Sequence, residues 1–158
     1  MIRSLRFLLV CGLVIAALFA TIQSLPSVNA DPPELIAGDV EPVEDDMHEF
    51  MEYLFQPTYK RLKVSMAEEP ADKKGWKAIK SDALILAEGG NLLLAHVPDT
   101  DGADWTKHSV VVRRHGGDLY RAAKAKDYAK ATGSYRLMIE HCNACHKQFE
   151  NGKHILEP

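Results

Sequence analysis

The residues with the most chemical promise are Cys142-Asn143-Ala144-Cys145-His146, a C-x-x-C-H run with the spacing that attaches a c-type haem. On a helix, positions i, i+3 and i+4 share one face, with Cβ atoms about 5–6 Å apart. Both sulfurs then reach the two vinyl groups of one macrocycle, and the same face turns His146 towards its iron. Two thioethers hold the haem c covalently, and a neutral imidazole supplies the proximal ligand. Three other chemistries use paired cysteines. A thioredoxin-like redox pair needs a βαβ context and a place near a helix start, but this pair falls near the end of the last helical stretch. A structural zinc site needs two further ligands at suitable spacing, and none is near. A disulfide between positions i and i+3 of a helix is geometrically awkward.

The elements that must carry this motif are helical. Alternation is scarce, and 3.6-residue periodicity dominates from Val43 onward. The first helix is expected over Val43–Met66, with the stripe Met47, Met51, Leu54, Thr58 and Leu62 widened by Phe50 and Phe55. Pro57 should kink or divide it. The second runs from a cap at Asp72 to about His96, with Trp76, Ile79, Ala83, Leu86, Gly90 and Leu93 on one face. The third covers Ala103–Lys126, with Trp105, His108, Val112, His115, Leu119 and Ala122 inward. The fourth runs from a cap at Asp127 to about Glu150, with Tyr128, Ala131, Tyr135, Met138, Cys142, Cys145 and Phe149 inward. Four helices of this length with short connections predict an all-α, antiparallel, up-down-up-down four-helix bundle over residues 43–152, with 153–158 as a C-terminal tail.

Residues 1–30 read as a signal peptide. Arg3 and Arg6 precede an apolar run from Phe7 to Ala20, and Val28-Asn29-Ala30 fits a cleavage site. That run is 14 residues, short of the roughly 20 that span a bilayer. A lipoprotein reading through Cys11 is weaker, since most of the apolar run follows that cysteine. Residues 31–42 form an acidic, proline-rich leader (Pro32, Pro33, Pro42). Losing the two signal arginines takes the formal charge from −3 to −5, so there is no basic footprint for nucleic acid. With 158 residues, 46% hydrophobic and 26% charged, the chain is too short for a multidomain enzyme and too apolar for disorder. The expected location is outside the cytoplasm, in a bacterial periplasm.

An exported, acidic, four-helix chain with one C-x-x-C-H near its C-terminus resembles the class II cytochromes c, the cytochrome c′ family. The resemblance covers most of residues 43–150. Its specific part is Leu119–Phe149, where a short Lys-Asp turn precedes C-x-x-C-H-x-x-aromatic. It implies thioether roles for Cys142 and Cys145, proximal iron ligation by His146, and a homodimer through the first two helices. Two positions depart from the pattern. Glu150 stands where the family often has a basic residue, and Met47 where it often has an arginine.

The family comes in two kinds, and the sixth iron position separates them. An apolar distal residue leaves iron open to NO or CO. A methionine there gives His/Met iron suited to electron transfer, with a raised reduction potential. Met51 is the leading distal ligand, with Met47 one turn before it as the alternative; both also suit plain core packing. A histidine in that position, or none, stays open. His108 and His115 lie on the inner stripe as ligand or propionate partners, or simply as hydrogen-bonded core residues. His48 should be solvated, His141 should point away from the haem face, and His96 and His154 read as surface or loop residues. The paired glycines Gly89-Gly90 and Gly116-Gly117 cost about 1 kcal/mol each relative to alanine, a cost that close approach of a neighbour or a local kink explains. The reading is an electron carrier exchanging with redox partner proteins, not an enzyme, since no distal acid/base group is visible. The alternatives are a five-coordinate gas-binding protein and a metal-free helical binding module.

Overall fold

The computed structural model describes residues 41–158. The expected signal segment 1–30 and most of the leader 31–42 lie outside the described residues. Within them the chain is all-helical, four helices packed together with no strand.

The first helix starts at Met47 rather than Val43. Asp46 adopts an extended backbone, and its carboxylate accepts the Glu49 N–H at 3.0 Å. That cap ends competition from the acidic run before it and leaves Val43 fully exposed. From there α1 (Met47–Phe50) passes into a π-helical turn (Met51–Phe55) and continues as α2 (Gln56–Met66). Pro57 explains the widened turn. It has no N–H for the carbonyl one turn back, and its ring crowds that carbonyl. The turn before it opens instead, with the Gln56 N–H reaching back five residues to the Met51 carbonyl. The Thr58 hydroxyl donates to the Leu54 carbonyl at 2.7 Å, satisfying another group freed there.

The other three helices begin and end within a few residues of their expected bounds, because their signals are local. Asp72 caps α3 (Lys73–Leu92) by accepting the Gly75 N–H at 2.8 Å. A single 3₁₀ turn, Leu93–Ala95, closes it. There the buried Trp105 indole donates to the Leu93 carbonyl at 2.7 Å, pairing a helix-end carbonyl that would otherwise be orphaned. Next, α4 (Gly102–Ala125) stops at Lys126, which adopts a left-handed φ of 58°. The Asp127 N–H then bonds the Ala122 carbonyl and the Lys126 N–H that of Ala123, a Schellman stop. Asp127 immediately caps α5 (Tyr128–Phe149) through the Lys130 N–H at 3.0 Å.

The core is built from Leu62, Ile79, Ala83, Leu119, Ala131, Tyr135 and Met138, each under 4% exposed, so most of the predicted stripes are the buried faces. Glycine lets α3 and α4 approach closely. A Cβ on Gly90 would stand 2.8 Å from the Arg113 backbone nitrogen, and one on Gly116 3.1 Å from the Ala87 backbone. Close approach is therefore the reason for these two glycines. Among the described residues one charge is buried: Asp82 accepts from Arg61 at 2.8 and 3.1 Å, tying α2 to α3. No helix among the described residues is long and apolar enough to cross a membrane.

Candidate functional site

The last two turns of α5 carry Cys142, Cys145 and His146 into one slot of about 290 Å³. Its walls are apolar. The first helix contributes Met47, Met51 and Phe55, α3 contributes Leu86, and α4 contributes Trp105 and Val112. Met138 and Ile139 extend the α5 wall inward, while the exposed residues His48, Glu52, Lys60 and Glu150 mark the way out to solvent. The structure thus brings Cys142, Cys145, His146, Met51 and Met47 to one cavity. The π turn starts at Met51, so the backbone irregularity forced by Pro57 sits in the wall that holds both methionines.

Both cysteines are free thiols. Burial, followed by the neighbouring Cys145 sulfur, pushes the Cys142 thiol up to about 12. Burial, followed by the Glu150 carboxylate, pushes Cys145 up to about 11. These shifts oppose the lowered values that make a dithiol a redox catalyst. No group of three metal-ligating side chains forms among the described residues either, which leaves a thiolate zinc site without partners.

His146 is oriented by a single contact. Its Nδ1 lies 2.8 Å from the backbone carbonyl of His154. A carbonyl only accepts, so Nδ1 carries the proton and a neutral ring keeps its lone pair on Nε2. That is the tautomer in which metal-ligating imidazoles are commonly held. The residues present therefore fit a c-type haem: two unbridged thiols, a histidine with a free Nε2 lone pair, and apolar walls.

His154 reads from sequence as a loop residue, yet it lines the slot together with Ile155 and Leu156. Sequence reasoning also missed Tyr59 and Ser109 in the lining. Tyr59 carried a signal, since it falls one turn beyond Phe55. The segment after α5 carried none, having no periodicity.

The remaining histidines divide. His108 lines the slot, and its Nε2 meets the Gln148 side-chain oxygen at 3.3 Å; its Nδ1 is buried without a partner. His115 does not reach the slot but stacks on His141, ring centroids 5.8 Å apart. His141 lies off the slot as expected, though half-buried. Burial, then His115 and His108, lowers its pKa. His48 is exposed and faces Glu52 at 3.5 Å. His96 is not a free surface group, as it packs on the Phe50 ring at 4.6 Å.

Comparison with known proteins finds no matching family, no matching curated protein and no matching solved structure.

Proposed function

We propose that the chain is an exported monohaem c-type cytochrome that carries electrons, with Cys142 and Cys145 as thioether residues, His146 as proximal ligand and Met51 as distal ligand. The observation that carries this reading is the 2.8 Å contact between His146 Nδ1 and the His154 carbonyl, in the slot that also holds both thiols. Bound there, the haem supplies a one-electron couple at iron. The protein's part is positional. Cys142 and Cys145 would hold the haem, each thiol adding its S–H across one vinyl group, and their helical i, i+3 spacing would suit two vinyls of one ring. His146 would offer the Nε2 lone pair, and the His154 carbonyl, by accepting a hydrogen bond from Nδ1–H, would make the ring a stronger donor. The apolar walls of Phe55, Leu86, Trp105 and Val112 would exclude water from a haem held there.

The same reading takes the fold as an up-down-up-down bundle of the cytochrome c′ kind. Contact pairs support it. Arg61 meets Asp82 while Phe55 meets Gly89, and Ala87 meets Gly116 while Gly90 meets Arg113. His115 meets His141 while Asp104 meets Gln148. In each pair one number rises as the other falls. A homodimer would use the first two helices, where Tyr53, Val64 and Leu84 are exposed. Redox partner proteins would approach the slot's open rim.

The test is the optical spectrum of the purified, exported protein, oxidised and reduced, with and without CO. The expected result is covalently bound haem, sharp low-spin bands that CO leaves in place, and a methionine–iron band that Met51→Ala abolishes. A high-spin spectrum that shifts at once with CO would overturn Met51 ligation and make the protein a gas binder. Absence of covalent haem would overturn the whole reading.

A further inference from the structure

We propose that Asn143, one of the two residues between the cysteines, is a positioning residue for His146, acting through the C-terminal segment 153–158. The inference rests on His146 as the iron ligand but is argued from contacts of the protein alone.

After α5 the chain reverses through Asn151, Gly152 and His154, all at positive φ (53°, 75° and 57°). Both the Glu150 and Gly152 N–H groups bond the His146 carbonyl at 3.0 Å, pinning the start of the reversal to the ligand itself. Two residues beyond His154, the Asn143 side chain closes a two-bond clamp on Leu156. Its Nδ2 donates to the Leu156 carbonyl at 2.8 Å, and its Oδ1 accepts the Leu156 N–H at 2.7 Å. One step further, the Tyr59 hydroxyl donates to the Glu157 carbonyl at 2.7 Å and accepts the Glu157 N–H at 3.1 Å. Segment 153–158 is therefore a strap from α5 to α2 across the slot.

His154 is the strained link in that strap. A side chain other than glycine in the left-handed region costs about 1–2 kcal/mol, and such a residue persists only where its surroundings over-determine it. The clamp on Leu156 and the turn at His146 hold it from both sides. Held so, its carbonyl points at His146 Nδ1 at 2.8 Å. Removing the Asn143 amide frees the far side, lets His154 relax, and takes the acceptor away from Nδ1. An amide places its donor and its acceptor on two separate atoms, so it meets the carbonyl and the N–H of Leu156 at once, which is the reason for asparagine at this place in the motif.

Two readouts test this, one of them free of haem. In the apoprotein, nitrogen-15 shifts of the His146 ring should report the Nδ1–H tautomer in the wild type and a mixture of tautomers in Asn143→Ala. In the haem-loaded protein, Asn143→Ala should lower the iron–imidazole stretching frequency and raise the potential. A tenfold weakening of the preference for the ferric form reads as about 59 mV. Asn143→Asp keeps the acceptor and loses the donor, so it should fall between the two and serves if the alanine variant does not fold. An unchanged His146 tautomer and an unchanged stretching frequency in both variants, with helix content intact, would overturn the positioning role. A tautomer that responds in a protein that takes no covalent haem would sustain the role of Asn143 and sink the haem reading instead.

Discussion

At the scale of single residues, the Arg61–Asp82 pair, buried at one end only, separates two costs that are easily confused. The Asp82 side chain is 7% exposed and that of Arg61 54%. Arg61→Ala strands a carboxylate in the core and should cost about 2–3 kcal/mol, below the full figure for a buried pair because the partner is half in water. Asp82→Ala leaves a guanidinium that simply hydrates, and about 1 kcal/mol is expected. Urea unfolding of the two variants should give that order. His141 sets a second expectation. Burial and the facing imidazoles of His115 and His108, joined by Lys107 and opposed by Glu140, depress its pKa below the usual 6.5. In that window the unfolded chain binds the proton that the folded one refuses, so stability rises with pH through it and falls as pH drops below about 6.5. His141→Gln should flatten the fall of the unfolding midpoint below about pH 6.5, and an undiminished slope would assign the effect elsewhere.

At the scale of elements, glycines of one type have opposite roles. An added Cβ at Gly90 meets helix backbone on α4 at 2.8 Å, which cannot yield without moving the helix. Gly90→Ala should destabilise by about 1–3 kcal/mol. Gly133 has nothing within 4 Å, and Gly133→Ala should stabilise by about 0.5–1 kcal/mol through helix propensity alone. Helix spans and caps at Asp72 and Asp127 could be read from sequence because each is decided within four residues. Pro57 marked the irregular place in the first helix, but not the kind of irregularity, which depends on which carbonyls find partners. Nothing in sequence announced the strap. Its bonds join residues up to 98 positions apart, and they use backbone groups that leave no periodic trace.

At the scale of the whole molecule, the slot exists only when the first helix, α3, α4 and α5 are assembled, so a ligand held there without covalent bonds should act as a folding ligand. In the Cys142→Ser, Cys145→Ser double variant, added haemin should raise unfolding stability with concentration, by about 2.7 kcal/mol at a hundred times its dissociation constant. No dependence on haemin would mean that the slot does not select it. The two-residue junction at Lys126-Asp127 has a consequence in time rather than in space. It stops α4 and starts α5 within one turn of chain, so those two helices close on each other with the smallest loop in the described chain and the least entropy to lose. Early contacts of this kind set the order of assembly. The hairpin bearing the two thiols should then be the first part to take shape, with the helix bearing the methionines and the strap bearing His154 arriving afterwards, an order that pulsed hydrogen exchange during refolding would read. Cys142 and Cys145 would stand open to modification for the interval between those events, and the slot would shut behind whatever had been attached.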